Sequence, residues 1–260
     1  MQVADHIPAL DFPAGWRVLA AGQNSSGECG LGLQQHVVRE FRALTVLGGA
    51  RCRVSCRGAR RQKKTWDVVA ACGGASTLIY DEDCEETLAC GEQGSDGSRH
   101  THKLAVLPSL SAVRIRSLAS GLSHSLAICE AGVVLAWGRN SSGQCGACLD
   151  RFNIGSPTPV SALQNSPALG ICCGAYHSLV IVEQLGAPST SAGRSRLVAF
   201  GWNNFGQLGI STAAAQEAGQ EPEEGGWVDG ATHHVALPQF VRLPSDEVGR
   251  VNLCRVPHQT

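Results

Sequence analysis

The amino-acid sequence predicts an all-β fold made of short-stranded units that stack on one another, the plan of a β-propeller. Three observations lead there. A thirteen-residue phrase recurs as VLAAGQNSSGECG from Val18 to Gly30, VLAWGRNSSGQCG from Val134 to Gly146 and LVAFGWNNFGQLG from Leu197 to Gly209. Ahead of the second and third copies stands the same turn, Gly-x-x-His-Ser, at Gly121–Ser125 and Gly174–Ser178. The runs between these marks are short, apolar and bounded by turn residues, which suits buried strands better than helices.

Taken in order, the first unit covers residues 16–50 and enters midway through a repeat, at Trp16. It carries Ala21 where the later phrase has Trp137. The second, residues 68–110, is the weakest copy: Ser76-Thr77 stands where His-Ser is expected, and the tryptophan is missing. The third, residues 113–165, is complete. Leu126–Cys129 and Val133–Trp137 read as strands, and Gly138, Gly143 and Gly146 punctuate a loop that needs positive φ or close backbone approach. The fourth, residues 169–245, repeats this with polar insertions. GAPSTSAGRSR, residues 186–196, reads as a flexible loop, and residues 211–234, with Glu217, Glu221, Glu223 and Glu224, as a mobile acidic excursion. A partial unit at 250–260 follows, in which VNLCRVPH lines up with GICCGAYH and Arg255 replaces the glycine. Residues 1–260 thus read as one repeat domain. One unit is too small to bury both its faces, so copies must stack.

The stretch SGLSHSLAICEAGVVLAWGRNSSGQCG, Ser120 to Gly146, resembles the repeat of the regulator of chromosome condensation family, a family of seven-bladed propellers. About four blades are recognisable, in unequal copies. The resemblance implies an incomplete ring, since a seven-bladed one needs further units and an open edge leaves backbone groups unpaired. A fragment, a shortened form, or a smaller or paired ring would each account for that.

The bulk numbers exclude little by themselves. Lysine and arginine total 21 against 22 acidic residues, so the net charge is −1 and gives no whole-molecule footprint for nucleic acid or an anionic membrane. The first thirty residues lack an apolar run of signal-peptide length, and no stretch is long enough to span a bilayer. A cytoplasmic or nuclear location, or both, is expected. Several of the 12 cysteines, among them Cys72, Cys90, Cys129, Cys172 and Cys173, sit in apolar runs where a small hydrophobe fits.

Catalytic inventory is thin. His124 and His177 occupy one place in the repeat and read as residues bracing a turn, with no nucleophile or carboxylate at a fixed offset. Cys145-x-x-Cys148 has the spacing of half a zinc site, but Cys29 and Leu208 share the position of Cys145, which therefore reads as packing. Gly27 to Gly32 lacks the order and the lysine of a phosphate loop. Trp137 and Trp202 read as interblade core. No cofactor and no metal are expected.

One feature stands outside the repeats. Residues 51–64 hold Arg51, Arg53, Arg57, Arg60, Arg61, Lys63 and Lys64 and no acid. They form either a solvated loop or a contact for phosphate or an acidic protein patch, and could double as a nuclear-import signal. The functional expectation is a non-catalytic, regulatory protein-interaction scaffold. The alternative implied by the resemblance is guanine nucleotide exchange on a small GTPase. A small GTPase or a chromatin protein is then the expected kind of partner, and the overall charge does not favour direct nucleic-acid contact.

Overall fold

The computed structural model of the protein describes residues 19–43, 69–81, 85–92, 100–183, 195–210 and 234–241. Among these, every sheet is an antiparallel meander in chain order. β1 (Leu19–Gln23) and β2 (Val37–Ala43) form a two-stranded sheet. Three four-stranded blades follow. The first holds β3 (Val69–Cys72), β4 (Ser76–Asp81), β5 (Glu86–Glu92) and β6 (His100–Val106). The second holds β7 (Ile115–Ser120), β8 (His124–Cys129), β9 (Val134–Arg139) and β10 (Asn153–Pro159). The third holds β11 (Ala168–Cys173), β12 (His177–Glu183), β13 (Ser195–Trp202) and β14 (His234–Phe240). Among the described residues no closed ring forms, and the first repeat contributes two strands rather than four.

Burial follows the order of strands within a blade. The second and third strands are buried on both faces, because a neighbouring blade covers each: β8 is buried over His124–Ile128. That is why they read as continuous apolar runs rather than alternating ones. The fourth strands β2, β10 and β14 are largely exposed. β10 and β14 tolerate Pro157, Pro159 and Pro238, as edge strands do, and Val37, Phe41, Leu237 and Phe240 stay exposed on β2 and β14. With no regular alternation of apolar and polar residues, these strands are hard to find in the sequence. The first strands β3, β7 and β11 approach one another from blade to blade, which makes them the inner strands of the stack.

The glycine after the tryptophan position has a specific task. At Gly22, Gly91 and Gly201 the third strand shifts register against the fourth, with φ of 127°, 85° and 112°. These are glycine-type bulges that bend the strand into the loop that follows. The residue before it fills the core between blades: Trp137 and Phe200 are 2% and 0% exposed and pack in one cluster with Leu126, Val180 and Leu78. Short 3-10 turns at Pro108–Leu110 and Ser161–Leu163 carry the chain from one blade to the next, each anchored by a buried leucine, Leu110 or Leu163.

Candidate interaction face

Strand direction sorts the connections onto two faces. The turn between first and second strands and the loop between third and fourth strands emerge at the same end of each blade. Gly73–Ala75, Gly121–Ser123 and Gly174–Tyr176 therefore share a face with the loops that start at Asn24, Asn140 and Asn203. The 3-10 connectors lie at the opposite end.

One asparagine organises each of those loops. Asn24, Asn140 and Asn203 are buried at 0%, 0% and 5% exposure. Each accepts at Oδ1 the backbone N–H five residues on, Cys29, Cys145 or Leu208, at 3.0 Å in all three loops. Each donates from Nδ2 to carbonyls across the loop: Gly32 and Gln35 for Asn24, Ala147, Cys148 and Arg151 for Asn140, Ile210 for Asn203. Four residues beyond the asparagine, Glu28, Gln144 and Gln207 each accept a backbone N–H two residues back, from Ser26, Ser142 and Phe205 at 2.7, 2.8 and 2.9 Å. The sequence alone assigns this asparagine no role. Its signal was its fixed place in all three phrases.

His124 braces two blades, while the rings of His124 and His177 each lie against the glycine of their own turn, Gly121 or Gly174. Ser178 donates its single hydroxyl proton to the Gln144 carbonyl at 2.7 Å, so its oxygen accepts from His124 Nε2–H at 2.9 Å. That chain ties the second blade to the third. Burial, with His177 adding to it, pushes the His124 pKa down to about 3, so the ring is neutral. Burial also lowers the pKa of His177. Where the weak copy has Ser76 in the histidine's place, the shorter side chain reaches only Ser120 at 3.1 Å, and Ser120 completes the span to Ser125 at 3.0 Å. At the junction before it, Thr77 plays the part of Ser178 and donates to the Glu28 carbonyl at 2.8 Å.

The cysteines are mixed. Cys29, Cys90 and Cys145 are buried, as packing residues should be. Cys90 occupies the tryptophan's place, and its thiol, pushed up to about 12 chiefly by burial, donates to the Glu28 carbonyl at 3.3 Å. Cys72, expected inside, is exposed at the end of its strand. Cys148 is exposed while Cys145 is buried, and among the described residues no three metal-ligating side chains gather.

Trp202 corrects the sequence reading. The two phrases align Phe200, not Trp202, with Trp137, so Trp202 stands where Arg139 and Gln23 stand. It is half-buried on the loop face. Its ring meets Tyr176 edge to face at 5.9 Å and 85°, and Phe205 likewise at 5.1 Å and 84°. Phe205 is 64% exposed. The basic residues Arg51, Arg53, Arg57, Arg60, Arg61, Lys63 and Lys64 lie outside the described residues. The strands that flank them, β2 ending at Ala43 and β3 starting at Val69, meet that segment at the connector end. The acidic residues 211–233 also lie outside, between Ile210 and His234 at the loop end.

Comparison with known proteins supplies the family. The Regulator of chromosome condensation (RCC1) repeat matches residues 131–181, and a second description of the same repeat matches residues 115–144. The secretion-regulating guanine nucleotide exchange factor of Bos taurus is 31% identical over 207 residues, 75% of this chain and 39% of that protein. The probable E3 ubiquitin-protein ligase HERC4 of Mus musculus is 36% identical over 40% of this chain and 9% of its own length. The ultraviolet-B receptor UVR8 of Arabidopsis thaliana is 27% identical over 55% of this chain and 31% of its own. Among solved structures, human WBSCR16 superimposes with a TM-score of 0.57 at 18% identity, over 90% of this chain and 54% of that one. Saccharomyces cerevisiae Prp20p does so with 0.55 at 16% identity, over 89% and 47%. The structural likeness is one of fold. The matched region spans well under two thirds of each of these proteins.

Proposed function

The chain is a protein of regulator of chromosome condensation repeats, and from that premise we propose that it is a non-catalytic regulatory scaffold that engages a protein partner through the loop face of its blades. The observation that supports this reading is a contrast within the repeats. Asn24, Asn140 and Asn203 hold their loops by the same bonds. The side chains those loops carry differ from blade to blade: Gln23, Arg139 and Trp202 stand at one position, and at another Phe205 is exposed where Ser142 is buried. A fixed frame with varied surface residues suits recognition, and function lies in such grafted surfaces rather than in the fold. One solved protein of this fold, yeast Prp20, is described as bound to Kap60 and by its binding to Gsp1p and histones, which agrees with a protein partner.

The basic run at 51–64 is proposed as a second contact, reached from the connector end, for phosphate or an acidic protein patch. Five of its seven cations are arginines, which grip such groups in a bidentate way. Replacing Arg57, Arg60, Arg61, Lys63 and Lys64 by Ala is expected to abolish salt-sensitive binding to nucleosomes with the fold intact. Unchanged binding and unchanged nuclear partitioning would return the run to a solvated loop.

Exchange of guanine nucleotide is the second reading, favoured by the relative of that name at 31% identity. It needs no side-chain chemistry, only preferential binding of the nucleotide-free GTPase. The experiment measures nucleotide release from a panel of small GTPases, together with cross-linking of the chain to the partner it retains from cells. The scaffold reading expects cross-links on the loop face at near-equal stoichiometry and no acceleration of release. Acceleration by substoichiometric protein would replace it with exchange.

A further inference from the structure

We propose that Tyr176, Trp202 and Phe205 form the anchoring site of the loop face, and that its ligand is a cationic peptide segment presenting lysine or arginine to the rings. This rests on the scaffold reading and names the surface and the partner's chemistry. The three rings run as one edge-to-face series, with centroids 5.9 and 5.1 Å apart. They are set in place before any ligand arrives. The Trp202 N–H donates to the Tyr176 carbonyl at 2.9 Å, so the two side chains spring from paired backbone. The Phe205 N–H is held by Gln207 Oε1 at 2.9 Å, within the loop that Asn203 organises. A preformed aromatic surface loses little side-chain freedom on binding, and aromatic anchors dominate interface energetics.

The fold does not call for these rings. The preceding blade performs the same structural tasks with Ser123, Arg139 and Ser142 at the equivalent positions, and its Arg139 N–H donates to the Ser123 carbonyl at 2.7 Å. Three aromatic residues gathered on one blade, with Phe205 64% exposed, therefore serve the surface rather than the core.

Charge selects the ligand. Ring faces carry negative potential and attract ammonium or guanidinium groups. On the outer strands of the same blade, Arg196 Cζ sits 3.6 Å from the centroid of the Phe240 ring, so the pairing already occurs within this chain. The sequence that follows Ile210 holds Glu217, Glu221, Glu223, Glu224 and Asp229 and no lysine or arginine before His234. A chain segment of that composition favours a cationic ligand over an acidic one.

The test is a selection of random displayed dodecapeptides on the full chain. It is run in parallel on a variant carrying Tyr176→Ser, Trp202→Arg and Phe205→Ser, the residues of the neighbouring blade. The intact chain is expected to enrich peptides with lysine or arginine beside apolar residues. The best of them, synthesised and titrated, should bind the variant about tenfold more weakly or worse. Far-UV circular dichroism and the thermal midpoint of the variant should match the parent. Phe205→Ser alone, in an exposed loop residue, should weaken binding in the same direction and guards against a folding defect in the triple variant. Enrichment of acidic peptides, equal binding by the variants, or no enrichment at all would overturn the proposal. In those cases cross-links of a cellular partner elsewhere on the loop face would leave the scaffold reading standing.

Discussion

Replacing Asn140 by alanine tests the frame at its best-defined point. Asn140 is 0% exposed. Its Oδ1 accepts the Cys145 N–H at 3.0 Å, and its Nδ2 lies 3.2, 3.2 and 2.8 Å from the carbonyls of Ala147, Cys148 and Arg151. Two Nδ2 protons serve two of these three acceptors at a time, so alanine removes three bonds. At about 1 kcal/mol each, with roughly 1 kcal/mol more for leaving the buried Cys145 N–H unserved, the loss is about 4 kcal/mol. In a protein of this size that lowers the midpoint of thermal unfolding by about 10 °C. Asn140→Asp sharpens the test. It keeps the acceptor for Cys145 but turns a carboxylate toward three carbonyl oxygens, so it should cost at least as much at neutral pH. Urea unfolding at pH 7.5, followed by tryptophan fluorescence, measures both. A loss of under about 1 kcal/mol for the alanine variant, or an aspartate variant as stable as the parent, would refute the reasoning.

Other outcomes follow from the junctions and the core. The folded-state pKa of His124 is depressed to about 3, below its unfolded value, so the unfolded chain takes up the proton first as pH falls. Stability should then decline by up to about 1.4 kcal/mol per pH unit below pH ~6.5, and His124→Gln should flatten part of that slope in urea midpoints taken from pH 7.5 to 5. A Cβ on Gly121 would overlap the His124 ring and the Gly174 carbonyl, so Gly121→Ala should unfold the protein at markedly lower urea. Gly155, with nothing within 4 Å of an added Cβ, should accept alanine to within about 0.5 kcal/mol. Trp137→Phe copies Phe200 and removes an Nε1 donor that has no partner among the described residues, so it should cost under about 1.5 kcal/mol, against roughly 3–5 for Trp137→Ala.

Much of this fold was legible because repetition makes weak signals additive. The phrase around Gly138 marks the third strand, its bulge and the loop in every copy, and the Gly-x-x-His-Ser turn marks the junction. The fourth strands were not legible. β10 and β14 are exposed, carry prolines and lack apolar alternation, so only pairing with the third strand reveals them. Trp202 was misplaced by two residues: taking the tryptophan rather than the glycine as the fixed point moved it from the loop face to the core. The role of His124 needed the structure, since its partner Ser178 belongs to the next blade and no local pattern names it. The basic run drew attention through charge alone, and charge without a surrounding frame does not tell a contact from a solvated loop.

The central claim is that the loop face divides into residues that hold the blades and residues that are there to be recognised. A saturation scan of the full chain, read out as the abundance of folded protein in cells, separates the two without knowledge of the partner. Substitutions at Asn24, Asn140, Asn203, Gly121 and Gly174 should deplete the protein. Polar substitutions at Gln23, Arg139, Tyr176, Trp202 and Phe205 should leave abundance near that of the parent. Depletion at the second set as severe as at the first would mean that those side chains belong to the fold, and would contradict the account.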